Sequence, residues 1–422
     1  MNLHASVSHK PEMATVSLFD SSDEIARGYF QWGPYHVDEA FKGNFAAVFS
    51  AAMCLERGVS GDIRIPYACS PSLLRLLERA ARQAVKGVSY TFYPKDEVER
   101  DLTTGSGLVV SFSGGMDSTT ALFSALELGN TVHAISFDTG QVPFNGGVWS
   151  ENAAVHRLSE YATKMYVDRF RHTMEVDCKI VKKPQGRPLW LKAFRNPMLL
   201  MTALTWEESV RAVTLSGQRG DRIMDNDPLF VRRFSEAVGI NIYMPNIQLY
   251  SCDEIAYMLD LQHRSGYPIY PSTYSCQIGK RVGPEYFCCG ACTSCLQRAM
   301  GMVLLNIDPL VNGGKPLPTG VDAWQYYKFD WLRGKPLRTF IQMAKTDDQK
   351  VPFQAMIMKL AQANVEELGG LYHFLPAKQE LRDQLTIFWR LYEEGYYKRI
   401  ARIGDFGIID DPIHYRQAQR SK

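Results

Sequence analysis

No apolar run in the 422-residue sequence approaches the roughly 20 residues that a membrane-crossing helix needs; stretches such as GMVLLNI stop far short. The first residues, MNLHASVSHKPEM, lack the apolar centre of a secretory signal and read as a loose leader. Neither sign of charge is in excess. The 47 Lys and Arg stand against 45 Asp and Glu, a formal net of +2, so the total implies no strong electrostatic partner; it argues neither way on a local basic patch for nucleic acid, which is not among the leading partners. The sequence has no internal repeat and no low-complexity block. Its nine cysteines are badly distributed for a disulfide scaffold, because four crowd between Cys288 and Cys295. That crowding indicates metal ligation in a reducing cytoplasm.

What is present divides into three textures. Residues 1–105 mix helix-like runs with aromatic turns such as YFQWGPYHV. In PSLLRLLERAARQAV, Leu73, Leu74, Leu76 and Leu77 make an apolar stripe, with Arg75, Glu78 and Arg79 outside it. From 107 to about 265 short β-rich runs alternate with helical ones. GLVVSF, VHAISF, EVDCKIV, RAVTLSG and INIYMP are the strand candidates. The helix candidates are STTALFSALELG, SENAAVHRLSEYATKM, NPMLLMTALTWEESV, PLFVRRFSEAVG and CDEIAYMLDLQ, the first stopping at Gly129. This alternation predicts an α/β fold with a parallel sheet covered by helices on both faces. The tail, 305–422, is helix-like and rich in aromatic residues that read mostly as packing. The expected organisation is an N-terminal extension (1–105), a central domain (106–304) and a helical C-terminal extension (305–422).

Parallel sheets of this kind bind ligands at the carboxyl ends of their strands. The stretch SFSGGMDSTT, residues 111–120, falls at such an end. Val109, Val110 and Phe112 finish the strand; Ser113, Gly114 and Gly115 form the turn; Asp117 or Ser118 is expected to cap the helix that follows. Glycines allow a sharp turn and a close ligand approach. A helix start adds unpaired N–H groups and a positive dipole end, so the pattern predicts a phosphate site. It is neither the Gly-x-x-x-x-Gly-Lys-Ser/Thr loop nor the Gly-x-Gly-x-x-Gly turn. A tight turn with no ligand is the plainer alternative.

Cys289-x-x-Cys292-x-x-Cys295, with Cys276 upstream, supplies four thiolates within residues 276–295. This set suits a closed tetrahedral zinc site. Three cysteines at this spacing also suit an iron–sulfur cluster; the upstream fourth cysteine favours zinc. Cys288 is a spare neighbour.

The Ser-Gly-Gly-Met-Asp-Ser turn resembles the PP-loop of ATP pyrophosphatases, the adenine nucleotide alpha hydrolase-like fold. Together with the late cysteine hook, it resembles the 7-cyano-7-deazaguanine synthase (QueC) family over about 107–305. The stretches VHAISFDTGQ, FRNPMLL, SGQRGDRIMDNDPLFVRRF, STYSC and CGACTSCLQR carry the rest of the likeness. The resemblance implies ATP, Mg²⁺ and Zn²⁺ as cofactors and a deazapurine carboxylate as substrate. It implies catalytic roles for Asp117, Ser118 and Arg195. Nucleotide and substrate contacts are implied for Ser111, Ser113, Gly114, Gly115, Met116, Asp138, Gly140, Gln141, Asn196, Gly217, Arg219 and Asp221. Zinc is implied at Cys276, Cys289, Cys292 and Cys295; a homodimer is one candidate assembly, and the sequence does not fix the oligomeric state.

Three departures stand out. Val142 and Pro143 follow DTGQ where the family has a basic pair, Cys252 stands where a lysine is usual, and Tyr274 replaces a tryptophan. QueC-like proteins with extensions occur in antiviral operons. The resemblance therefore implies adenylation of 7-carboxy-7-deazaguanine and amide formation on a partner protein encoded nearby. Nitrile synthesis, RNA-base activation and a nucleotide-binding scaffold are the alternatives.

Overall fold

The computed structural model describes residues 2–10, 13–31, 38–84, 87–102, 105–138, 147–181, 210–216, 228–246, 249–274, 280–282, 285–287, 293–305, 387–388, 390–391 and 394. Strands β1 (Asn2–Lys10), β2 (Met13–Asp20) and β3 (Asp23–Gln31) form an antiparallel meander. Helix α1 (Glu39–Arg57) then leads to β4 (Gly61–Cys69), and α2 (Pro71–Ala84) to β5 (Tyr90–Glu97). β4 runs parallel to both β1 and β5.

The central region follows as β6 (Gly107–Ser111), α3 (Met116–Glu127), β7 (Val132–Asp138), α4 (Gly147–Met165) and β8 (Phe170–Val181). It continues through β9 (Val210–Thr214), α5 (Pro228–Val238), β10 (Ile242–Tyr243), α6 (Ser251–Ser265) and the single turn α7 (Ile269–Ser272). A hairpin of β11 (Lys280–Val282) and β12 (Glu285–Phe287) precedes α8 (Thr293–Leu304). β10, β9, β6, β7 and β8 are all parallel, as the alternating pattern predicts.

Strand β8 joins the two halves. Its first part pairs with β7, and its last four residues pair antiparallel with β3, Arg27 opposite Val181. One ten-stranded sheet results, ordered β10-β9-β6-β7-β8-β3-β2-β1-β4-β5.

Alternation along β6 shows why its sequence is continuously apolar. Leu108 and Val110 join the cluster that contains Leu122 of α3 and Leu158 of α4. Val109 joins the opposite cluster, with Phe234 of α5. A strand covered on both faces has no position for a polar residue. The α2 stripe is as expected: Leu73, Leu74 and Leu77 are buried and Arg75 and Arg79 exposed.

The N-terminal residues correct the sequence reading. They are not a loose leader but β1, where Leu3, Ala5 and Val7 alternate into the core. Tyr29–Gln31, expected in a turn, close β3. Helix α1 carried no clear signal because it is buried nearly all round from Ala40 to Leu55, which removes the amphipathic stripe. Asp38 starts it, its Oδ1 accepting from Phe41 N at 2.6 Å. The expected helix near 196–210 and the tail beyond 305, apart from positions between 387 and 394, lie outside the described residues. Among the described residues no helix is long and apolar enough to cross a membrane.

Candidate nucleotide site

The parallel half changes direction at β6. Its neighbours β7 and β9 lie on opposite sides. At such a point the connecting segments diverge and leave a crevice beyond the carboxyl ends of the strands. The segment 112–118 sits there.

Phe112 N donates to Ile135 O at 2.8 Å, which holds the start of the turn against β7. Gly114 then takes φ 72°, in the left-handed region. A Cβ there would lie 2.9 Å from both Ala154 Cβ and Val155 N, so α4 packs directly on the loop. The loop closes on itself through two serines. Ser113 N donates to Ser118 Oγ at 3.2 Å, the two hydroxyl oxygens lie 3.1 Å apart, and Ser118 Oγ donates to Gly115 O at 3.3 Å.

The capping expectation is corrected here. Gly115, not Asp117 or Ser118, is the N-cap of α3, and no side chain hydrogen-bonds the cap. The Ser118 hydroxyl turns back to the loop, while the Asp117 side chain stands in the first turn, half-buried. A helix start brings its positive dipole end to this turn, which favours an anion there.

Three further contacts brace the loop, on residues the sequence reading did not single out for that purpose. Asn246, fully buried just past β10, donates from Nδ2 to Asp117 O and to Glu254 Oε1, both at 2.7 Å. Glu254 is also fully buried, in the first turn of α6. Tyr274 N donates to Gly114 O at 2.8 Å. The usable signal was position: Asn246 follows a strand at the same sheet edge as the glycine loop.

Ser111, Ser113, Gly114, Gly115, Met116, Asp117 and Ser118 are thus brought together on one turn. Asp138 ends β7, three residues past Ile135, the register partner of Ser111. Its side chain lies outside the described residues. So do Gly140, Gln141, Arg195, Asn196, Gly217, Arg219 and Asp221, and Cys276, Cys288, Cys289 and Cys292. Cys295 lies in α8, its side chain likewise outside them. Among the described residues no group of three or more His, Cys, Asp or Glu is arranged to hold a metal ion. Cys252, at the position where a lysine is usual, is buried in α6. Burial, reinforced by the neighbouring Asp253, pushes its thiol well above the ordinary range, so it stays neutral.

Residues 107–306 match the family model described as Queuosine biosynthesis protein QueC. A 7-cyano-7-deazaguanine synthase of Thermoplasma acidophilum is 30% identical over 240 residues, covering 48% of this chain and 90% of that protein. One of Methylococcus capsulatus is 32% identical over 235 residues, with 48% and 96% covered. The chain belongs to the QueC family. Its QueC part holds the glycine loop, the five parallel strands and α3 to α8. A third relative, the 7-cyano-7-deazaguanine synthase of Thermosynechococcus vestitus, is 27% identical over 248 residues, 50% of this chain and 97% of its own length. β1 to β5 precede the matched QueC span yet belong to the same sheet.

Proposed function

We propose that the chain activates the carboxylate of 7-carboxy-7-deazaguanine with ATP at the β6–α3 turn and, with ammonia, carries it to 7-cyano-7-deazaguanine. The observation that carries this reading is the helix start at Gly115, which lacks a side-chain cap and lies at the crevice where the sheet order reverses. The names of the QueC relatives support the deazapurine assignment.

A carboxylate oxygen attacks the α phosphorus, the bond to the α–β bridging oxygen breaks, and pyrophosphate leaves. Ammonia adds to the acyl carbon, AMP leaves and a proton is lost, giving the amide. A second ATP adenylates the amide oxygen; loss of AMP and of the remaining N–H protons leaves the nitrile. Charge concentrates on pyrophosphate as it departs. The hydroxyls of Ser113 and Ser118 and the backbone of Gly114 and Gly115, in a turn closed by its own hydrogen bonds, are the groups assigned to meet it.

Asp117, half-buried beside those oxygens, offers the hard donor that Mg²⁺ takes, and the ion when bound neutralises phosphate charge. Arg195 is assigned to the α phosphate or the substrate carboxylate. Asp138, Gly140, Gln141, Asn196, Gly217, Arg219 and Asp221 are assigned to the nucleotide and the deazaguanine edge. Cys276, Cys289, Cys292 and Cys295 are assigned to one structural zinc.

A second reading hands the same acyl adenylate to an amine of a partner protein, in antiviral defence. It is favoured by the N-terminal strands, which extend the QueC sheet through β3 and β8 and lie outside the matched span.

Pyrophosphate release with ATP, Mg²⁺ and 7-carboxy-7-deazaguanine, combined with product mass, tests both readings. Release that depends on the deazapurine, lost in Asp117→Ala and yielding nitrile with ammonia, is expected. A deazaguanine-sized adduct on a neighbouring gene product, with no nitrile, shifts the conclusion to the second reading. Bound ATP without release leaves only a scaffold.

A further inference from the structure

We infer that Arg298 is a positioning residue for the phosphate loop, acting through the backbone of residues 270–274. The inference rests on the nucleotide reading of that loop.

Arg298 lies on α8, three residues after Cys295, and is 7% exposed. Its guanidinium makes three hydrogen bonds to one short segment. Nε donates to Tyr270 Oη at 3.0 Å, Nη2 to Tyr270 O at 3.3 Å and Nη1 to Thr273 O at 3.4 Å. The guanidinium carbon also sits 4.3 Å from the centre of the Tyr270 ring. A buried cation is costly unless its donors are satisfied. Arginine keeps its charge and presents its donors in a rigid fork, so three bonds to neighbouring acceptors fix their relative positions.

That segment needs fixing from outside. α7 is one four-residue turn, far shorter than a helix that is stable alone. Its own side-chain bonds, Ser272 Oγ to Pro268 O at 2.7 Å and Thr273 Oγ1 to Tyr270 O at 2.8 Å, are local. The chain leaves the turn at Tyr274, whose amide donates to Gly114 O at 2.8 Å.

The Gly114 carbonyl is one end of the peptide unit whose other end is the Gly115 N–H. A trans peptide is planar, and its C=O and N–H point in opposite directions. Holding the carbonyl of Gly114 therefore aims the amide of Gly115, the residue at the start of α3. α4 also packs on Gly114, where a Cβ would lie 2.9 Å from Ala154 Cβ and Val155 N. In this structure that amide donates to Ser113 Oγ at 3.4 Å, so Arg298 sets the geometry of the Gly115–Ser113 bond within the turn assigned to the phosphates, without touching the nucleotide.

The test uses the full chain with Arg298→Met, Arg298→Lys and the milder Tyr270→Phe, which removes only the acceptor of Nε. Amide hydrogen exchange without nucleotide, MgATP affinity by calorimetry and maximal pyrophosphate release are the three readouts. Losing the charged bonds speeds exchange at Tyr274 and Gly115 about tenfold or more in Arg298→Met. Exchange in α1 and β4 stays unchanged. MgATP binding weakens about tenfold in that variant, and less in Arg298→Lys and Tyr270→Phe. Maximal pyrophosphate release falls even at saturating ATP, because the loosened turn no longer holds Ser113 and Gly115 in place for the departing charge. Variants that exchange and bind as the wild type does overturn the inference and leave the nucleotide reading intact. A wild-type chain that binds no MgATP overturns both.

Discussion

The side-chain nitrogen of Asn246 bridges Asp117 O and Glu254 Oε1 at 2.7 Å each, tying the first turn of α3 to α6. Both N–H groups of one buried amide are used, and Glu254 has no route to bulk water. Replacing Asn246 with Ala leaves a buried carboxylate short of a donor. The expected cost is about 1–3 kcal/mol in urea unfolding. Asn246→Asp costs more, since it sets a second carboxylate against Glu254 and a carbonyl. If both variants unfold like the wild type, the bridge is not structural.

At Gly114 the constraint is steric. A side chain there meets α4 at 2.9 Å and must also hold φ 72°. Gly114→Ala is expected to lose about 1–3 kcal/mol of stability and, by displacing the turn assigned to the departing phosphates, to lower pyrophosphate release by about a hundredfold, as a misplacement of about 1 Å at a reacting site can. Activity near the wild-type level would place the departing phosphates elsewhere.

Glu99 caps α2 from outside the helix. Its carboxylate accepts from Ser70 Oγ at 2.8 Å and from Ser72 Oγ and N at 2.7 and 3.2 Å. Partial burial raises its pKa, but the hydrogen bonds from Ser72 and Ser70 prevail and the net shift is downward. A depressed folded-state value contributes stability above the unfolded value of about 4.3, and loses it as pH falls through the folded value. Acid unfolding of wild type and Glu99→Gln is thus expected to converge only once pH has fallen through the depressed folded value, with wild type the more stable above the unfolded value of about 4.3. A constant gap between the curves would remove the carboxylate from the account.

For β1, Leu3 and Leu18 are both in the core, 1% and 0% exposed. Leu3→Ala is expected to cost about 2–4 kcal/mol, which a disordered leader does not do. Chemical denaturation measures the difference.

Much of this was legible because the central strands and helices have the periods their burial demands. GLVV is apolar without a break because α3 and α5 cover opposite faces of β6. β1 escaped because Leu3, Ala5 and Val7 alternate with His4, Ser6 and Ser8, a half-polar pattern that also suits an unstructured tail. α1 escaped for the reverse reason, since burial on every side erased its stripe. At the site, the Ser-Gly-Gly turn announced itself because only glycine takes the left-handed bend pressed on α4. Asn246 and Glu254 gave no such signal, because a buried polar pair is recognised only once its partners are in place.

What the residues alone determined is local: the turn chemistry of 113–118, the alternation that makes a parallel sheet, and the stripe of α2. Those depend on backbone freedom and on periods of two and 3.6, which a linear string carries. Tertiary structure decided that β8 extends past β7 to meet β3, that Gly115 and not Asp117 starts α3, and that Tyr274 reaches Gly114 across 160 residues. Those are meetings between distant segments, and each requires the sheet to be assembled before the partners come within hydrogen-bonding range.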